Sequence, residues 1–122
     1  MKHILVIDDE PSIGSLLTHL LTQHGYRVTV RTDGRQGVAA LRHDPADLVI
    51  TDIFMPEKDG MEVMMELKDE FQGLKIMIIS GGGPMAQLDS AYNAARKLGI
   101  KHIFFKPFVL EELATAVREE LA

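Results

Sequence analysis

HILVIDDEPSIGSLLTHLLTQHG, residues 3–25, holds one strand-and-helix unit and punctuates it at both ends. The run HILVID at 3–8 is β-branched and apolar until it closes on carboxylates. From Pro11 the pattern changes to helical spacing, with Ile13, Leu16, Leu17, Leu20 and Leu21 on one face of a helix over 11–24. Gly25 follows as the expected C-terminal cap.

The same unit recurs along the chain. RVTVR (27–31), LVITD (48–52), KIMIIS (75–80) and HIFFK (102–106) read as further strands, and residues 34–42, 60–71, 84–98 and 110–121 as further helices. Strict alternation of this kind implies an α/β domain, a parallel sheet with helices on both faces. The first, third and fourth strands are nearly continuous apolar runs, as strands covered on both faces must be, whereas RVTVR alternates with polar residues like an edge. The doubly wound, flavodoxin-like order 2-1-3-4-5 sets that polar strand at an edge and keeps every crossover right-handed. The expectation is a single five-stranded domain over residues 1–122.

Composition narrows the function classes. With 46% hydrophobic and 25% charged residues in 122, the chain has enough apolar surface for one core but no apolar stretch near the roughly 20 residues that span a bilayer. Cysteine is absent, which excludes a disulfide framework, a thiolate metal site and a cysteine nucleophile and fits a reducing, cytoplasmic location. The start MKHILVIDD has neither the length nor the small-residue cleavage site of a signal peptide. Net charge is −5 and the basic residues are scattered, so nucleic-acid binding by this chain is not expected. The five histidines, at 3, 19, 24, 43 and 102, show no ligand spacing.

In open α/β sheets, function collects beyond the carboxyl ends of the strands. Strand one ends in Asp8, Asp9 and Glu10, strand three in Asp52, strand four in Ser80 and strand five in Lys106-Pro107. Each has an ordinary reading taken alone: an Asp after a strand caps a turn or helix, a serine before glycines makes a turn, a lysine is a solvated charge. Four strand ends delivering polar groups to one edge would need four separate explanations of that sort. Neighbouring strands lie about 4.8 Å apart, so the terminal carboxylates of strands one and three can meet on one cation, and Lys106, about 10 Å from Asp52, can bridge with a long side chain.

Carboxylates about 4 Å apart repel by roughly 4 kcal/mol per pair at an effective dielectric near 20. A cation or protonation must relieve that repulsion. An all-oxygen set with no histidine or cysteine suits Mg²⁺, with Mn²⁺ as a substitute. A carboxylate beside such an ion, a hydroxyl and an ammonium is arranged for phosphoryl transfer, with Asp52 as nucleophile and acceptor, Ser80 and Lys106 on the phosphoryl oxygens, and Gly81 leaving room for the incoming group.

The acidic pair in VIDDE, Asp52 in LVITDIFMPEKDG, Ser80 after IMII and Lys106-Pro107-Phe108 together resemble the receiver domains of two-component response regulators over essentially the whole chain. The resemblance implies that Asp52 accepts a phosphoryl group from a phosphohistidine on a sensor histidine kinase or phosphotransfer protein. It implies Asp9 and Asp52 as direct Mg²⁺ ligands, the backbone carbonyl of Phe54 as a third, Asp8 acting mainly through water, and a cis Lys106-Pro107 bond. The protein would catalyse its own phosphorylation and dephosphorylation without acting on external substrates. The output would be a change of shape on the fourth helix, fifth strand and fifth helix, where a downstream protein binds.

Three departures from the family pattern stand out. Ile103 occupies the position, three before the site lysine, where many receivers carry a switching Tyr or Phe. Phe54 and Gly82 stand where the family tunes water's access to the acyl phosphate. SGGGP at 80–84 lacks the Gly-Lys-Ser/Thr of a nucleotide loop and reads as a mobile connection, a variant found among receivers without an output domain. Met61, Met64, Met65 and Met85 fill core or form an adaptable surface. Three other readings stay open: a receiver cut from a longer DNA-binding regulator, an interaction module that is never phosphorylated, and an aspartyl-phosphate phosphatase. The last lacks its second acid, because Phe54 stands two residues after Asp52.

Overall fold

In the computed structural model, which describes residues 1–53, 60–81 and 85–122, five strands and five helices alternate without exception. They are β1 (His3–Ile7), α1 (Pro11–Gln23), β2 (Arg27–Arg31), α2 (Gly34–His43), β3 (Leu48–Asp52), α3 (Gly60–Glu70), β4 (Lys75–Ser80), α4 (Met85–Lys97), β5 (Ile103–Phe105) and α5 (Leu110–Glu120). Every element foreseen from the sequence is present, with ends displaced by a residue at most. The strands pair in parallel in the order β2-β1-β3-β4-β5, so the polar strand is indeed at an edge. The loop MPEKDG and Gly82, Gly83 and Pro84 lie outside the described residues.

Two cores follow from the alternation of side chains along the central strands. Ile4, Val6, Leu48, Ile50, Met77 and Ile79 face α1 and α5, where Leu17, Leu21, Leu113 and Val117 close over them. Leu5, Ile7, Val49, Ile76 and Ile78 face the opposite way, against Val38 and Leu41 of α2, Val63, Met64 and Leu67 of α3, and Ala91 and Ala95 of α4. Burying both faces is what makes these strands read as unbroken apolar runs. Of the methionines, Met64 is core and its neighbour Met65 is 54% exposed. The close approach of α2 to β1 depends on Gly37, where a Cβ would fall 2.4 Å from Ile7 Cδ1.

Helix ends are closed by local chemistry. Gly25 takes φ 87° after α1, and the N–H of Tyr26 returns to Leu21 O at 3.1 Å, the capping role its position suggested. At the start of α2, Asp33 Oδ1 accepts from Gln36 N at 2.8 Å, so this Asp is a helix cap. The acids of β1 and β3 behave differently.

Register sets where they stand. Ile7 pairs with Thr51, so Asp8 and Asp52 each lie one residue beyond the same rung, and Asp52 pairs with Ile79. Ser80 pairs with Phe105, which delivers Lys106 just past it. Although β1 closes at Ile7, Asp8 N continues the ladder to Arg31 O at 3.0 Å.

Candidate functional site

The carboxyl edge of the sheet brings the strand-end residues together. Asp8, Asp52 and Ser80 are 0%, 3% and 1% exposed, while Asp9 and Glu10 are more open. One carboxylate oxygen from each of Asp8, Asp9, Glu10 and Asp52 can be chosen so that all lie within 4.8 Å of one another. Lys106 reaches across β4 into this group: its Nζ lies 3.0 Å from Asp52 Oδ2, 2.9 Å from Asp8 Oδ2 and 3.0 Å from Glu10 Oε1. The long bridge expected from the strand order is therefore made.

Backbone contacts hold the frame. Lys106 N donates to Ser80 O at 2.7 Å, tying the end of β5 to β4, and Ile53 N donates to Ile79 O at 3.3 Å, tying β3 to β4. Asp8 Oδ1 accepts from Glu10 N at 2.8 Å, which folds the acidic turn back on itself. The Lys106-Pro107 bond is cis, as the resemblance implied.

Electrostatics at the site is unbalanced. Burial is the largest influence on Asp8 and holds its carboxyl pKa above the usual range, although the Glu10 N–H and Lys106 pull it down. Burial by itself would lower the Lys106 pKa, but its close contacts with the carboxyl groups of Asp8, Asp52 and Glu10 more than offset it and raise it. Lys106 thus stays an ammonium, one cation among four carboxylates. Asp8 Oδ2 and Ser80 Oγ are buried without a hydrogen bond among the described residues. The contact of Asp8 Oδ2 with Lys106 is an ion pair rather than a well-directed hydrogen bond. A buried oxygen left with that much acceptor capacity, in an all-oxygen group of net negative charge, fits a small hard dication.

Two features differ from the sequence reading. The space at Gly81 is taken by Lys106 itself: a Cβ there would lie 2.8 Å from Lys106 Cδ and 3.5 Å from its Nζ. Glu10, read as one of the acids ending strand one but given no role there, joins both the acidic group and the lysine. Its signal in the sequence was only adjacency to the acidic pair. Phe54, expected to lend its carbonyl, lies outside the described residues. Ile103 packs toward the α2–α4 core, Phe104 toward the α1–α5 core beside Phe108, and Phe105 is 54% exposed.

The family model described as "Response regulator receiver domain" matches residues 4–118. The chain belongs to the response regulator receiver domains. The transcriptional regulatory protein CpxR of Klebsiella pneumoniae is 36% identical over 118 residues, covering 97% of this chain and 48% of that protein. The chain spans between about a quarter and a half of the length of the curated relatives it matches.

Among solved structures, a CheY-like receiver domain protein from Methanospirillum hungatei superposes with TM-score 0.90 at 22% identity, covering 99% of this receiver and 94% of that chain. TrrA of Thermotoga maritima, solved in complex with Mg²⁺-BeF, gives TM-score 0.83 at 31% identity, covering 98% of this receiver and 99% of that chain. The receiver is a signalling module of two-component regulation. No helix among the described residues is long and apolar enough to cross a membrane.

Proposed function

We propose that this receiver takes a phosphoryl group onto Asp52 from a phosphohistidine of a histidine kinase or phosphotransfer protein, in the cytoplasm, and signals through the resulting change at its site. The observation that carries this reading is the convergence of Lys106 on Asp52 at 3.0 Å from a strand two places away in the sheet. The ammonium so placed stands where it can pair with an oxygen of a phosphoryl group carried by Asp52.

In the step itself a carboxylate oxygen of Asp52 attacks phosphorus, the phosphorus–nitrogen bond breaks, and the departing imidazole nitrogen keeps the electron pair. Lys106 pairs with one phosphoryl oxygen, and Ser80, whose buried hydroxyl has no hydrogen-bond partner among the described residues, donates to another. Asp8, Asp9 and Asp52, with the carbonyl of Phe54, would hold Mg²⁺ or Mn²⁺, which when bound supplies neutralisation of charge on the phosphoryl oxygens. Water attack on the acyl phosphate returns Asp52 to its free form, so the chain turns over its own phosphate and acts on no external substrate.

Phosphorylation adds roughly −1.5 to −2 charges at Asp52, and Ser80 and Lys106 move to meet them. Both lead directly into α4, β5 and α5, the face on which we place the downstream protein. A second reading is favoured by one observation: CpxR, a transcriptional regulator, is about twice the length of this chain. The receiver would then control an attached DNA-binding segment instead of a separate partner.

The test is intact mass after incubation with Mg²⁺ and acetyl phosphate, for the native chain and Asp52→Ala. One added phosphoryl group on the native chain alone is expected. No gain under conditions that label a known receiver would leave an unphosphorylated interaction module; equal labelling of the variant would place the acceptor elsewhere; rapid turnover of unrelated phosphate esters would mean a phosphatase.

A further inference from the structure

We infer that Glu10 is a positioning residue for Lys106, sharing the ammonium with Asp52 and Asp8 until a phosphoryl group on Asp52 takes it from Glu10. This rests on the reading of Asp52 as the phosphoacceptor.

Three carboxylates share Lys106 at 2.9 to 3.0 Å, but they are not equivalent. The side chains of Asp8 and Asp52 are 0% and 4% exposed and belong to the floor, whereas that of Glu10 is 54% exposed and forms the solvent side of the cage. Glu10 precedes α1 at the N-cap position, yet its side chain makes no capping bond. The first turn is closed instead by its backbone carbonyl, which accepts from Ile13 N at 3.1 Å and Gly14 N at 3.3 Å. Its own N–H is taken by Asp8. The backbone of Glu10 is therefore anchored while its carboxylate is committed to Lys106.

An ammonium has three N–H donors, and here three carboxylates surround it. A phosphoryl oxygen on Asp52 needs one of those donors. A dication bound by Asp8, Asp9 and Asp52 weakens the pull of two of the three carboxylates, so Glu10 is left as the competitor for Lys106. The stem of Lys106 passes against Gly81, where a Cβ would fall 2.8 Å from its Cδ, and its Nζ already lies 3.0 Å from Asp52 Oδ2, so exchanging Glu10 for a phosphoryl oxygen needs little displacement of the stem. Glu10 thus sets how readily the lysine is released, acting through Lys106 and not on the phosphoryl group itself.

The experiment measures the labelling rate of Asp52 by acetyl phosphate, read as intact mass against time, at Mg²⁺ concentrations where further cation leaves the rate unchanged. Glu10→Gln keeps the shape and removes the charge. Its expected effect is a rate roughly two- to fivefold higher, the range of a partly exposed ion pair. In a Lys106→Ala background the same substitution is expected to change nothing. An unchanged or slower rate for Glu10→Gln with Lys106 present would overturn the inference. So would an equal acceleration in both backgrounds, because Glu10 would then repel the anionic donor directly. Failure of the native chain to be labelled at Asp52 is a separate result and removes the proposed function beneath it.

Discussion

Lys106 crosses Gly81 so closely that a Cβ on Gly81 would stand 2.8 Å from Lys106 Cδ. A methyl group there cannot coexist with the present path of the lysine. The displaced atoms belong to a flexible side chain and Gly81 does not need positive φ, so the fold should survive and the site should not. Gly81→Ala is expected to change thermal stability little while slowing Asp52 labelling by roughly tenfold or more, as misplacements of about an ångström do. Paired thermal melts and labelling rates check it; a labelling rate equal to the native one would mean that Lys106 need not follow this path.

Asp8 is buried beside another carboxylate and is held protonated to higher pH than an ordinary Asp. A carboxyl whose folded pKa is raised favours the fold below its unfolded pKa, and that contribution is lost as pH rises through the folded value. Without added cation, Asp8→Asn is therefore expected to stabilise the receiver near neutral pH by on the order of 1 to 2 kcal/mol. The substitution keeps an acceptor for Glu10 N and leaves Lys106 paired with Asp52 and Glu10. The advantage over the native chain should shrink as pH falls through the raised Asp8 pKa and vanish below the normal carboxylate range. Urea melts of both proteins across that window check the sign, which would be reversed if Asp8 were a net stabilising ion-pair partner.

The same imbalance of charge makes the site a reporter for divalent cations. A ligand that binds only the folded state stabilises it by about 2.7 kcal/mol at a hundred times its dissociation constant. Mg²⁺ is thus expected to raise the melting temperature of the native receiver in a concentration-dependent way, and Mn²⁺ to do the same. Asp8→Asn and Asp52→Asn should each flatten the response. A rise that persists in both variants would put the cation elsewhere.

The sheet was legible because it rests on a local pattern repeated five times, and the polar edge because four of those strands end on polar groups. Apolar runs ending on Asp8, Asp52 and Ser80 declare both the strand and the direction in which it points, and Lys106-Pro107 does so for β5. What stayed hidden was pairing between distant residues. Glu10 and Lys106 are 96 residues apart, and nothing near Glu10 says that its carboxylate turns inward instead of capping α1. Gly81 beside a serine suggested room for an incoming group, since only the fold shows that Lys106 passes over it. His3 was one of five dispersed histidines until β1 carried it to the far end of the sheet.

There, His3 is 4% exposed and both ring nitrogens are occupied. Nδ1 lies 2.9 Å from Pro45 O and Nε2 lies 2.8 Å from Thr29 Oγ1, so the imidazole joins β1 to β2 and to the α2–β3 connection. The consistent arrangement has Nδ1–H donating to the carbonyl and the Thr29 hydroxyl donating to Nε2. Removing the ring takes a hydrogen bond from half-buried Thr29 and from exposed Pro45 and leaves a cavity where the buried imidazole stood. His3→Ala is expected to cost about 2 to 4 kcal/mol of folding stability. Because His3 sits at the opposite end of the strands from Asp52, labelling of the folded fraction should be unaffected. Urea denaturation combined with labelling below the transition separates the two quantities. A loss of labelling in fully folded His3→Ala would couple the two ends of the sheet and contradict the division of the molecule into a structural end and a chemical one.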